Sequence, residues 1–279
     1  MVNVVSFLPM RHIPQLTTKK NSVKTLLLFC AVVFIIILIS LVAKVVAVIR
    51  EGKFHGDHTF TISVKQPDSL DLFIFHPVEK SVIQLQLPDI SSVSEAKEST
   101  GSFIEGEIST KREIDESYSI SMVLQNALLN QNGVDSTLSL FDLLRMRWIA
   151  RAIPDGEVEK EIITKSMTVE EIDEVVRTVL LDKKFSEENL TIEIVNGSGV
   201  PGIGSKLGRA LQNSGANVIS VANADKEVNE TTVMYYGKES ETTKRLGRLL
   251  YASPIEISEQ GLSDIIITLG RSRADQNPF

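Results

Sequence analysis

From Thr25 to Ala43 the chain reads TLLLFCAVVFIIILISLVA, nineteen residues with no charge and no polar face, and Val45–Ile49 prolongs the run past Lys44. A helix needs about 20 apolar residues to cross the hydrocarbon core, so residues 25–49 are expected to form a transmembrane helix. The run is longer than the core of a cleaved signal peptide, and no small-x-small cleavage site follows it. Beyond a polar link at Arg50–His58 the period shortens to two. Thr59–Val64, Leu70–Phe75 and Val82–Leu87 alternate polar and apolar residues, as strands do. His76–Lys80 suits the turn of a hairpin between the second and third. Ser91–Ser117 is polar and acidic and is expected to be a mobile loop.

Helical spacing follows. Ser119–Asn130 sets Ile120, Val123, Leu124, Ala127 and Leu128 on one stripe. Ser139–Ile153 sets Leu140, Leu143, Leu144 and Trp148 on another, with Pro154 as the stop. Thr168–Leu181 opens on a capping box, Thr168 and Glu171, and its expected apolar stripe is Val169, Ile172, Val176, Val179 and Leu180. Asp182–Glu188 is charged and unpatterned, a natural boundary. After it, strands predicted at Leu190–Val195, Val218–Val221, Thr232–Tyr236 and Ile265–Leu269 alternate with helices at Ile203–Asn213 and Glu239–Tyr251. That rhythm argues for an α/β layer with partly parallel strands. The expected organisation is a tail at 1–24, a transmembrane helix at 25–49, and two α/β domains, at 54–184 and 189–275.

Charge orients the chain. Arg11, Lys19, Lys20, Lys24, Lys44 and Arg50 are the only charged residues up to position 50. A basic flank before a span faces the cytoplasm, so the two domains are expected outside it, at the plasma membrane. These six are among 29 basic residues, leaving 23 against all 36 acidic ones, a net charge of −13 for the remainder. Nucleic-acid binding rests on phosphate neutralisation, and this part of the chain has no basic patch and no DNA-reading helix. The single cysteine, Cys30, lies within the apolar run, so the domains have no disulfide.

Gly197-Ser-Gly199-Val-Pro-Gly202 fits the spacing G-x-G-x-x-G, follows a predicted strand and opens a predicted helix, with Asp225 after the next strand. That is the form of a dinucleotide loop. Pro201 removes one of the backbone donors such a loop would offer. A geometric role accounts for the same residues: Gly197 and Gly199 for a tight turn, Pro201 to start the helix, Gly202 or Gly204 for close packing. A helix N-terminus there still favours a small anionic group.

The run IEIVNGSGVPGIGSKLGRALQNSGANVISVANADKEVNETTVMYYGKES resembles the C-terminal domain of LytR–CpsA–Psr cell-envelope proteins. The shared pattern is Val195-Asn196-Gly197, the turn Gly199–Gly202, Gly215 before the second strand, Thr231–Tyr236, and Thr268-Leu269-Gly270 near the end. It covers about Leu190–Asp275. The resemblance implies a bacterial envelope location and no known reaction for this domain.

The preceding domain is similar to the family's catalytic domain only in its opening strands, DLFIFHPVEKSVIQLQLP. The resemblance implies transfer of a glycopolymer from a polyprenyl-pyrophosphate carrier to the cell wall, using arginines and a magnesium ion held by acids. Where the family has an Ile-Pro-Arg-Asp motif, this chain reads Leu87-Pro88-Asp89-Ile90-Ser91. The arginine that would supply five donors to a diphosphate is missing, so the transfer chemistry is expected to be lost. The remaining phosphate-contact candidates are Arg145, Arg147 and Arg151, of which Arg147 and Arg151 share a helical face. His55 and His58 are spaced like part of a metal site but have no evident third and fourth ligands. Asp68 and Asp71, three apart at a strand start, would face opposite ways.

The sequence therefore leads to a non-enzymatic, membrane-anchored envelope protein with no catalytic residues, cofactor or metal. Its C-terminal domain would bind a cell-wall glycan or an envelope protein through Asn196, Gly197, Gly199 and Gly202. The alternative is a glycopolymer transferase. A third reading is assembly with another membrane complex, whose marker would be an exposed apolar patch on the first domain.

Overall fold

The computed structural model describes residues 19–111, 119–129, 133–153, 158–259 and 261–274. The expected stop at Pro154 and the basic residue Arg11 lie outside them. The chain forms two compact units, residues 1–51 and 52–279.

In the first unit, helix α1 (Lys19–Glu51) contains the apolar stretch Val23–Lys44, 22 residues with a mean hydropathy of 3.4. At 1.5 Å per residue this stretch is about 33 Å long, enough to cross a membrane once. None of it is buried against protein.

The second unit holds two sheets. The first has the order β5-β4-β1-β2-β3-β6. Its centre is the antiparallel meander β1 (Phe60–Lys65), β2 (Leu70–His76) and β3 (Ser81–Leu87), as the alternating pattern suggested. Parallel strands β4 (Gly106–Thr110) and β6 (Glu159–Ile162) flank it, and β5 (Val134–Ser136) pairs antiparallel with β4. Side chains that alternate along the meander divide into two cores. Phe60, Ile62, Val64, Phe73 and Phe75 meet helices α3 (Ile120–Leu128) and α4 (Leu140–Ala150). Leu70, Leu72, Ile74, Leu85 and Leu87 meet α2 (Val93–Thr100) and α5 (Val169–Leu180).

Three expectations for this part are corrected. Val169, placed on the α5 stripe by its spacing, is 55% exposed. The polar run after Ser91 is not a loop in its described portion: it contains α2 and β4. Ser92 caps α2 by accepting from Glu95 N, and Gly101 closes it in the left-handed conformation with φ 53°. On α4 the inward face is Leu143, Met146 and Ala150, whereas Leu140, Leu144 and Trp148 are 63%, 50% and 81% exposed. The capping box of α5 is present, with Thr168 and Glu171 exchanging hydrogen bonds.

The second sheet has the order β10-β9-β11-β7-β8. Parallel pairs join β7 (Thr191–Asn196) to β8 (Asn217–Asn223) and to β11 (Ile265–Leu269). Strand β9 (Thr232–Tyr236) runs antiparallel to β11 and parallel to β10 (Pro254–Ile257). Helices α7 (Ile203–Asn213) and α8 (Glu241–Leu250) share one face, where Ile192, Ile194, Val233, Ile265 and Ile267 pack with Leu207, Leu211, Leu246 and Leu250. The short helix α9 (Arg271–Ala274) follows β11. The charged stretch expected as a bare boundary is helix α6 (Lys183–Glu188). Asp182 caps it, and Phe185 enters the second core beside Phe103 from the first part of the chain.

Polar contacts tie the two sheets' layers together. Arg209 of α7 donates to Asp173 of α5 at 2.9 Å and to the carbonyls of Glu98 and Ser99 at 2.8 Å each. Asn213 donates to Asp173 and to Thr100 O.

Candidate functional site: the glycine turn and its cleft

The turn between β7 and α7 is built around one side chain. Asn196, at the end of β7, accepts from Ser198 N (3.2 Å) and Ser198 Oγ (2.7 Å), and donates through Nδ2 to Val200 O at 2.9 Å. Ser198 Oγ in turn accepts from Val200 N at 3.1 Å. Gly197 N donates to Leu269 O, and Gly197 O accepts from Val228 N. The backbone donors of Gly197, Ser198 and Val200 are thus used within the fold, and Pro201 has none.

The glycines have distinct reasons. Gly199 and Gly202 take φ of 76° and 77°, in the left-handed region that suits glycine. A Cβ on Gly199 would also fall 2.5 Å from Glu227 Oε1, and one on Gly197 would fall 2.7 Å from Val228 Cγ2. Gly204, not Gly202, permits close helix–sheet packing: its Cβ would lie 3.2 Å from Val221 and 3.3 Å from Asn196.

Beside the turn is a cleft of about 310 Å³, lined by Asn196, Gly197, Gly199, Asn223, Lys226 and Glu227 among others. Glu227 pairs with Arg271, and its carboxylate lies against Gly199 at the turn. With three of its backbone donors used within the fold, one removed by Pro201 and an anion at its mouth, the loop is poorly arranged as a phosphate cradle. The cleft offers amides and one charge of each sign, a surface suited to a neutral polar chain or a peptide.

The three arginines do not join this cleft. Arg145 donates to Phe54 O at 2.9 Å and His55 O at 3.0 Å, so it fastens the chain entering β1 onto α4. Arg147 donates to Gln125 Oε1 at 2.7 Å, and Arg151 is exposed at the C-cap of α4. Asp142 helps Arg145 by accepting from Lys53 N and Phe54 N. At the motif position Asp89 accepts from Lys165 N.

A second polar cluster escaped the sequence reading. Arg245 of α8 is 6% exposed and bonds Glu105 through both terminal nitrogens, with a further bond to Thr59 O. Burial opposes its charge, but the Glu105 carboxylate more than compensates and raises its pKa. Close by, His58 Nδ1 lies 3.2 Å from Asp182 Oδ2, whose partner oxygen accepts from Lys184 N. Burial pushes the Asp182 carboxyl up, yet the His58 and Lys184 contacts outweigh it and hold the pKa below the usual value. The only sequence signal for this cluster was the pair His55 and His58.

The fold of the last third is thus an α/β layer whose glycine turn is a structural device beside an open cleft. Residues 189–272 match the family model LytR_C, described as LytR cell envelope-related transcriptional attenuator, and they form the LytR C-terminal domain that their motifs indicated. No curated protein matches the chain. A solved structure from Listeria monocytogenes, described as a candidate transcriptional factor, Lmo1026, is 12% identical over 79% of this chain and 94% of its own, with a TM-score of 0.20. A likeness of that size carries no argument about function.

Proposed function

We propose that this chain is a single-pass membrane protein of the bacterial cell envelope. Its LytR C-terminal domain lies outside the cytoplasm and binds a cell-wall glycan or an envelope protein at the cleft beside the glycine turn. The carrying observation is the match of residues 189–272 to an envelope-related family, in a chain whose helix α1 is apolar, unburied and long enough to span a bilayer. The basic flank Lys19, Lys20 and Lys24 before the span supports an inside N-terminus. Transferase chemistry has less support, because Arg145 and Arg147 are engaged in the fold and no arginine occupies the Leu87–Ser91 motif.

The test is co-sedimentation of the detergent-solubilised chain with wall sacculi, beside Asn223→Ala and Lys226→Ala at the exposed rim of the cleft. Each substitution is expected to weaken binding about fivefold, the net value of one hydrogen bond, with unchanged melting. Failure to sediment, or sedimentation indifferent to both changes, sinks wall binding at this cleft.

A second reading has its own observation. Leu140, Leu144 and Trp148 form an exposed stripe at i, i+4, i+8 on α4, the apolar patch that assembly with another membrane protein requires. Photo-crosslinking from position 148 in membranes tests it; adducts with lipid alone would rule against a protein partner.

A further inference from the structure

We propose that His58, Asp57 and Glu241 form a site for one divalent transition-metal ion, most suited to Zn²⁺, that clasps the start of the folded unit to the N-terminus of α8. One nitrogen of His58 and one carboxylate oxygen from each of Asp57 and Glu241 lie within 4.8 Å of one another. Ligands on one tetrahedral ion with bonds near 2.0–2.2 Å stand about 3.3–3.6 Å apart, so small side-chain movements bring these three atoms onto a single ion.

The arrangement of His58 points to a ligand. Its ring is buried, 5% exposed, and its Nδ1 faces Asp182 Oδ2 at 3.2 Å. An ionised carboxylate only accepts, so Nδ1 carries the hydrogen, and Nε2 on the far side of the ring faces Asp57, whose Oδ2 is 3.6 Å away. Nε2 is buried without a hydrogen-bond partner, and so is Asp57 Oδ1 beside it. Two buried polar atoms without hydrogen-bond partners are costly, and one cation coordinated by both satisfies them. A carboxylate behind a histidine is also the usual support of a metal-bound imidazole, fixing its tautomer and raising its basicity.

Charge and access are compatible. Asp57, Asp182, Glu188 and Glu241 cluster here against Arg248 and Lys244, since Arg245 is occupied by Glu105. Lys244 donates to Glu241 Oε1 at 2.7 Å from a half-exposed stem that can swing aside. Asp57 is 47% exposed at the side chain, which leaves a path for the ion and room for water as the remaining ligand. An imidazole with two carboxylates prefers Zn²⁺ to Mg²⁺ or Ca²⁺. The proposal is independent of what the glycine-turn cleft binds.

The test uses the full chain in detergent, stripped with chelator and titrated with Co²⁺ while following its d–d absorption, then competed with Zn²⁺. One Co²⁺ per chain is expected, displaced by Zn²⁺ and not by equimolar Mg²⁺. Glu241→Gln, on the accessible side of the site, should weaken binding at least tenfold, and Asp182→Asn by roughly 10–100-fold. His58→Gln should abolish it; should that variant fail to fold, Glu241→Gln and Asp57→Asn decide. No saturable uptake overturns the proposal and leaves His58 as a bridge between carboxylates. Uptake that survives Glu241→Gln and Asp57→Asn equally overturns it.

Discussion

Arg245 and Glu105 meet through two parallel contacts, at 2.8 and 2.9 Å, one on helix α8 beneath the second sheet and the other just before β4 of the first. Both are nearly free of solvent, with side chains 7% and 13% exposed. Replacing one partner strands the other charge in the interior. Glu105→Gln should therefore cost about 3 kcal/mol in a denaturant titration. A loss below about 1 kcal/mol would mean that water reaches Arg245 in solution.

The glycines of the last domain should rank by what blocks them. A Cβ on Gly270 would overlap the backbone of Asn229 and Glu230, which cannot yield. Gly199 combines positive φ with the movable Glu227 side chain, and Gly202 has positive φ but open space. Alanine substitution should thus destabilise most at Gly270, next at Gly199, and by only about 1 kcal/mol at Gly202. Thermal melts of the three variants check the order. A Gly202→Ala as damaging as Gly270→Ala would show that the turn is tighter than described.

Helix α4 gives an internal control. Met146→Ala removes a fully buried side chain and should cost about 2–5 kcal/mol. Trp148→Ser removes a larger side chain that is 81% exposed and should change stability by about 0.5 kcal/mol or less. The reverse result in an unfolding assay would restore the stripe that the sequence suggested.

Asp71 supplies a pH dependence. Burial raises its carboxyl pKa, only partly offset by the hydrogen bond from Gln84 at 3.0 Å. A carboxyl whose folded pKa is raised favours the fold while protonated and loses that contribution as pH rises through the folded value. Asp71→Asn removes this loss. Its melting temperature should exceed the parent's at pH 7, and the gap should close as pH falls below the usual carboxylate range. A gap that widens on acidification would contradict the assignment.

The legible parts of the sequence were those where one face of an element is apolar and the other polar. β7 and β11 alternate in burial, α5 and α7 each carry a single stripe, and the central strands β1 and β2 are apolar enough to be buried on both faces. Helix α2 was hidden because Ala96 and Thr100 are its only buried residues, and Thr100 bonds Ala96 O and Ser102 rather than advertising a core. On α4 two stripes share helical spacing, Leu140-Leu144-Trp148 and Leu143-Met146-Ala150, and period alone favours the more hydrophobic one. The fold chose the other because Phe54 and the meander need close contact, which Met146 and Ala150 permit. At the candidate sites, the glycine turn was visible as local spacing. The partners of His58 were not, because Asp182 and Glu241 reach it from distant parts of the chain.

Membrane topology tests the central claim most directly. Cys30 is the chain's single cysteine and lies within the apolar span, so a cysteine introduced at Leu262, which is 95% exposed, is the one thiol open to water. Intact bacteria producing Leu262→Cys are treated with a membrane-impermeant maleimide whose access through the wall is established with a control. Labelling in intact cells, equal to that after lysis, is the expected result for a LytR C-terminal domain held outside the membrane. Labelling only after lysis would put the domain in the cytoplasm and contradict the envelope reading.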